Sequence, residues 1–177
     1  MPNEVPDWVT LTEGEQVVWR GGPATVRIAQ ELIGEAVLVV LGLWLAVAPP
    51  AALFGVALPT IPVVPLGLVG VGLVLAGVGV LSGVVTYLRF RAVEYLVTTE
   101  ELYHKRGLLS RSVTNLRLER VQDSGFTQSA FQRLFDYGHV HVSTAGGGGV
   151  ELRFADVDDP SAVNAVITEH LDRVRPE

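Results

Sequence analysis

His139 and His141 stand two apart in the alternating run HVHVSTA, so they share one face of a strand. Two imidazoles at that spacing suit a metal ion, and His104 is a third candidate from a neighbouring strand. No carboxylate is fixed beside them by sequence, and they read instead as surface strand histidines. Ser143, His141 and Asp136 can be drawn as a triad, but no nucleophile elbow precedes the serine. The glycine run 146–149 leads into a strand, so it lacks the helix N-terminus that a phosphate loop needs. The chain has no cysteine, which removes disulfides, thiolate zinc sites, iron–sulfur clusters and thiol catalysis. The expectation is a protein that is not an enzyme and has no cofactor and no metal.

The cations are the more informative group. Residues 89–120 hold seven basic and four acidic residues, and residues 121–177 hold four basic and nine acidic. Juxtamembrane Arg and Lys are each drawn to anionic headgroups by about 1 kcal/mol. We therefore expect Arg89, Arg91, Lys105, Arg106 and Arg111 to face phospholipid, with the acidic half turned to the cytosol. The competing expectation is a solvated strand face with local ion pairs to Glu100, Glu101 and Glu119. A net charge of −6 argues against nucleic acid as a partner. Lys105 is the only lysine among 13 basic residues, a composition that suits a halophile or a GC-rich genome.

These cations are placed by an apolar block. From residue 36 to residue 88 no position is charged, a run of 53, with Thr60, Ser82, Thr86 and Tyr87 its only hydroxyls. Roughly 20 apolar residues cross a bilayer once, so the block is long enough to cross twice. Pro49, Pro50, Pro59 and Pro62 break it, and Pro65 suits the first turn of a second helix. We expect a transmembrane hairpin over 33–88, with helices at 33–53 and 65–88. Arg20 and Arg27 precede it and Arg89 and Arg91 follow it, while its turn is uncharged, so both termini are expected in the cytoplasm. The acidic start, with Glu4, Asp7, Glu13 and Glu15, does not read as a signal peptide. Glu35 lies within one turn of the boundary and can snorkel to water. Gly79 and Gly83 form a GxxxG, expected to pack the two helices together, with homo-oligomerisation the alternative use of that face.

After Arg91 the pattern turns to period two. Strands are expected at 92–98 (Val93, Tyr95 and Val97 inward), 102–106, 109–118 (Val113, Leu116 and Leu118 inward) and 121–127. A helix at 128–137 carries Phe131, Leu134 and Phe135 at helical spacing, with Ser129 as N-cap and Gly138 as its stop. A hairpin follows at 139–145 and 150–155. A closing helix runs to about Val174, with Val163, Val166, Ile167, Leu171 and Val174 on one stripe. This is an α+β module, a small barrel or sandwich capped by a helix. The N-terminal segment 1–32 holds one further strand candidate, 15–20, which could add to the barrel.

Several features occur in a fixed order behind the apolar hairpin. The strand at Tyr95 runs into Thr98-Thr99, and Arg106-Gly107 turns. Leu118-Glu119-Arg120-Val121-Gln122 precedes the Gln128-Ser129 helix with its Arg133-Leu134-Phe135, and Ser143-Thr144-Ala145-Gly146 ends a strand. Residues 90–173 thereby resemble the bacterial pleckstrin-homology (PH) domain of the YdbS-like membrane proteins. Tyr137 and the glycine tip 146–149 depart from that pattern. The resemblance implies a PH-like barrel over 89–175 on the inner face of the cell membrane, without catalytic residues. The expected function is a binding or scaffold module in a multi-pass membrane protein, contacting a protein partner with the lipid bilayer as auxiliary ligand. The alternative is an oligomeric transporter or pore-associated subunit regulated by the module.

Overall fold

The computed structural model describes residues 5–47, 63–144 and 150–174. They fall into two compact units, residues 28–88 and the flanking segments up to Arg27 and from Arg89 onward.

The second unit is a two-layered α+β fold. Its first sheet has the order β1-β2-β3-β4, from β1 (Val17–Gly21), β2 (Glu94–Thr98), β3 (Glu101–Arg106) and β4 (Ser112–Arg117), all antiparallel. A 3₁₀ turn at Leu118–Arg120 leads to the second sheet, β5 (Val121–Thr127), β6 (Tyr137–Thr144) and β7 (Val150–Asp158), also antiparallel. A short helix α3 (Ala130–Leu134) sits between β5 and β6, and α4 (Pro160–Val174) closes the chain.

Tyr95, Val97, Leu102, Leu116, Leu118, Val140, Val142, Leu152 and Phe154 fill the space between the sheets. The apolar stripe of α4 joins them through Val163, Ile167 and Leu171. The opposite face of the first sheet is buried too. Leu96 and Tyr103 pack there against Val9, with Trp8, Leu11 and Val17 around them. Residues 5–16 therefore cover the sheet, and Glu15 within them is buried, accepting a hydrogen bond from Thr98 Oγ1 at 2.5 Å.

Several elements differ from expectation. Val113 is exposed (39%) because β4 is an edge strand whose first residues run past the core. Leu109 is not in a strand, since β4 starts only at Ser112. The helix expected at 128–137 is shortened to Ala130–Leu134. Ser129 does cap it, in a reciprocal pair with Gln132, but Asp136 in the left-handed region (φ 51°) turns the chain rather than Gly138. Gly138 is already in β6, where a Cβ would press on Gln128, the Thr127 carbonyl and Pro160.

The described residues of the first unit form two helices, α1 (Thr25–Val47) and α2 (Val63–Arg91), apart from their outer ends. Both are long and apolar enough to cross a membrane, by length and composition. The helix expected from Ile33 begins eight residues earlier, because Arg27, Gln30 and Glu31 are good helix formers though not apolar. Its expected extension through 48–53 and the prolines 49, 50, 59 and 62 lie outside the described residues. Pro65 is the third residue of α2, within the first turn, where its missing N–H has no helical partner to lose.

The helices run antiparallel and touch through small residues. A Cβ on Gly42 would lie 2.5 Å from Ala76 N, and one on Gly72 would lie 2.6 Å from Ala46 N. Gly79 is close to Val39 and the Glu35 carbonyl, whereas Gly83 has ordinary contact distances of 3.6 Å and more. The tightest crossing is thus Gly42 on Gly72 and Ala76, one to two turns from the GxxxG. Glu35 accepts a hydrogen bond from Ser82 Oγ at 2.7 Å, bonding across the helix pair rather than extending along it.

Candidate functional site

The strand register defines two ends of the sandwich. Glu94 pairs with Lys105, Gly21 with Tyr95, and Arg106 with Ser112. One end of the first sheet, the rim, therefore gathers the end of β1, the start of β2 and the β3–β4 loop, residues 107–111. The second sheet meets the same rim. Pro23 bridges to Val157, Ala24 N donates to the Asp156 carbonyl, and Tyr95 Oη bonds both the N–H and the carbonyl of Ala155, at 3.0 and 3.1 Å. Since β7 there pairs with the start of β6, α3 lies at the rim as well. Thr99, Glu100 and Glu119 occupy the opposite end.

This geometry places the five cations named from sequence. Arg89 and Arg91 end α2 and are exposed, as is Arg106. Among the described residues no ion pair engages these three. Arg111 is exposed with Asp7 at 4.0 Å. Lys105 is held inward, its Nζ 3.3 Å from Glu94 and 5.0 Å above the Trp8 ring. Glu94 is the hub, pairing also with Arg20 and accepting from Trp8 Nε1 at 2.9 Å. Four of the five thus project at the rim, while the fifth closes a network that ties the N-terminal segment to the sheet.

The acidic half is not segregated to the far end. Asp136, Asp156, Asp158 and Asp159 lie around the end of β7 and the α3–β6 turn, at the rim. At the rim the exposed cations Arg89, Arg91 and Arg106 therefore lie by the first sheet, while four carboxylates gather by the second beside the one cation of α3, Arg133. Arg27 crosses this divide at 3.6 Å from Asp156.

The histidines are scattered. His104 lies against the Tyr95 ring, 5.0 Å between centroids, and burial lowers its pKa. His139 is built into the fold rather than lying on the surface as expected. Its Nδ1 accepts from Asp156 N at 3.0 Å, and its Nε2 lies 3.1 Å from the Gln132 amide of α3. Burial first, then the Arg153 charge, lower its pKa, so the imidazole is neutral near pH 7. His141 lies across Gly125 on the adjacent strand. Among the described residues no three metal-ligating side chains converge.

Two exposed apolar features were not anticipated from the sequence. Phe131 (53%), Leu134 (75%) and Phe135 form a patch on α3, with Phe131 and Phe135 rings 4.8 Å apart. Their helical spacing puts them on one face, and a helix shortened to about one turn leaves that face largely uncovered. The other feature is the leucine pair of the β3–β4 loop, Leu108 and Leu109. A shallow cavity of about 210 Å³ lies at the rim between Pro23, Arg89, Val93, Tyr95 and Asp156.

Residues 24–171 match the family described as Bacterial PH domain. The match begins ahead of α1 and continues through both apolar helices, further than the 90–173 suggested by the resemblance. No curated protein and no solved structure matches the chain.

Proposed function

The chain belongs to the bacterial PH-domain family, and on that premise we propose that it is a non-catalytic binding scaffold held at the inner face of the cell membrane by α1 and α2. The observation carrying this is an interruption. Gly21 and Tyr95 pair in one sheet, yet between them the chain runs out through α1 and back through α2. Along both helices large apolar side chains face outward: Ile33 (62%), Val40, Val47, Val74 and Leu81. Water-exposed apolar patches on soluble monomers rarely exceed a few hundred Å², so lipid is the fitting solvent for these faces. The return of β2 to β1 requires an even number of crossings. Arg20, Arg27, Arg89 and Arg91 at the shared end favour the cytoplasmic side for both termini.

The module's binding partner, in this reading, is a protein. The α3 patch stands beside Asp136, Asp158 and Asp159, three carboxylates against its one cation Arg133, which disfavours an anionic bilayer as its occupant. The edge of β4 offers backbone groups to an added strand. The cations of the first-sheet side supply the lipid contacts. The pore-subunit alternative is less well supported, because residues 36–88 carry no charge and Glu35, just outside them, is already bonded to Ser82 across the helix pair. Its small-residue face is also already used by the Gly42–Gly72 crossing.

The test is extraction of the full chain from its own membranes. Retention after an alkaline wash, release only by detergent, and cytoplasmic labelling of single cysteines at Asp7 and Asp172 are expected. Release without detergent, or labelling of the two positions from opposite sides, refutes the anchored scaffold.

A further inference from the structure

Leu109 is 101% exposed and Leu108 45%, so none of the described residues covers the tip of the β3–β4 loop. The loop reads Arg106-Gly107-Leu108-Leu109-Ser110-Arg111, an apolar tip between two guanidinium groups. Its turn is specific. Gly107 has φ +118°, and a Cβ there would overlap the Ser110 carbonyl oxygen. The turn is therefore set by Gly107, and the two leucines stand at its exposed tip. The register puts them at the rim: Arg106 and Ser112 are partners, and one strand away Glu94 follows directly on the end of α2. Residues 21–25 leave for α1 from that same rim.

We propose that Leu108 and Leu109 insert into the headgroup–acyl boundary of the bilayer, with Arg106 and Arg111 on lipid phosphates, making a third membrane contact beside the two spans. This rests on the membrane reading above. Lipid suits the tip better than a protein or a second copy for three reasons. Two leucines are far smaller than the roughly 800 Å² per partner of a stable protein interface. The flanking charges complement anionic headgroups, and Arg89 and Arg91 extend the same charge. Covalent continuity with α2 also keeps the rim near the bilayer, so a weak insertion suffices.

The chain has no cysteine, which makes single labels straightforward. Full-length protein carries one environment-sensitive fluorophore at Leu109→Cys, at Leu81→Cys in α2, or at Asp172→Cys on exposed α4. It is reconstituted in nanodiscs with about 30% anionic phosphatidylglycerol, with or without spin-labelled lipid. Quenching of about two-fold or more is expected at positions 81 and 109, and none at 172. Arg106→Gln with Arg111→Gln should lower the quenching at 109 and leave that at 81 unchanged. If 81 is quenched while 109 behaves as 172, the insertion is wrong and the membrane reading survives. A blue shift at 109 without lipid quenching also overturns it, since protein or a second copy then covers the tip. No quenching at 81 removes the membrane reading itself.

Discussion

Replacing Gly42 or Gly72 by alanine should separate α1 from α2, while the same change at Gly70 or Gly77 should not. A Cβ on Gly42 would stand 2.5 Å from Ala76 N and 2.6 Å from the Gly72 oxygen, against the 3.4 Å at which ordinary contact begins. The obstacles are backbone atoms, so no side-chain rotation relieves them. The helices must move apart by something close to 0.9 Å, and a gap of about 0.5–1 Å forfeits a quarter to a half of each dispersion contact. Overpacking of this kind costs about 1–3 kcal/mol. Alanine returns up to about 1 kcal/mol of helix propensity, and at Gly70 and Gly77, where nothing lies within 4 Å, that gain is the only effect. The two classes should therefore differ by about 1–3 kcal/mol. Because Gly42 and Gly72 face each other's carbonyls, the double variant should cost less than the two single ones together. Reversible unfolding of the full chain in bicelles, followed by steric trapping of labels on α1 and α2, measures this. If Gly42→Ala and Gly72→Ala fall within about 0.5 kcal/mol of Gly70→Ala and Gly77→Ala, the crossing is not where we place it.

Tyr95→Phe keeps the ring stacked on Phe154, 4.7 Å between centroids, but strips the Ala155 N–H and carbonyl of their partner, and should cost about 1–3 kcal/mol in a urea titration. Burial pushes the Tyr95 hydroxyl up to about 12 from 10.0, so its stabilisation is complete below pH 10 and is lost as pH climbs toward 12; Tyr95→Phe should flatten that part of the profile. In the acid direction His104 and His139 bind protons more readily unfolded than folded. Their contribution is complete above 6.5 and shrinks as pH falls below it, and melting temperatures of the double His→Gln variant should depend less on pH between 7 and 5. Trp8→Ala removes the edge-on contact with Tyr103, the bond to Glu94 and the surface beneath Lys105; a loss of about 2–3 kcal/mol in the same titration is expected, and an unchanged midpoint would show that residues 5–16 do not belong to the fold.

Much of this was legible from periodicity. Alternation located the strands and the 3.6-residue stripe located α4, because both patterns record which side chains meet the core. Leu96 and Tyr103 show where that logic thins. They sit on the face that alternation assigns to solvent, and only a segment some eighty residues earlier explains their burial. Phe131, Leu134 and Phe135 mislead in the opposite sense, since helical spacing says which residues share a face but not whether anything covers it. The uncharged run announced two helices and the GxxxG drew attention to Gly79, yet the tightest contact is at Gly42. The crossing point depends on how the helices are offset in register, which no local motif encodes. Lys105 could be counted among the cations from sequence, but its inward turn depends on Trp8 and Glu94 meeting across the sheet.

The insertion of α1 and α2 between two strands that must pair has a consequence for synthesis. β1 leaves the ribosome before either helix and has no neighbour until β2 follows, after the whole apolar stretch has been translated. Its partner cannot reach it until both intervening helices have been made. On the anchored-scaffold proposal, completion of the first sheet is therefore a report that both helices have been threaded. A chain stalled with only one of them in place would leave Trp19 without its Phe154 stack and β2 with an unpaired edge.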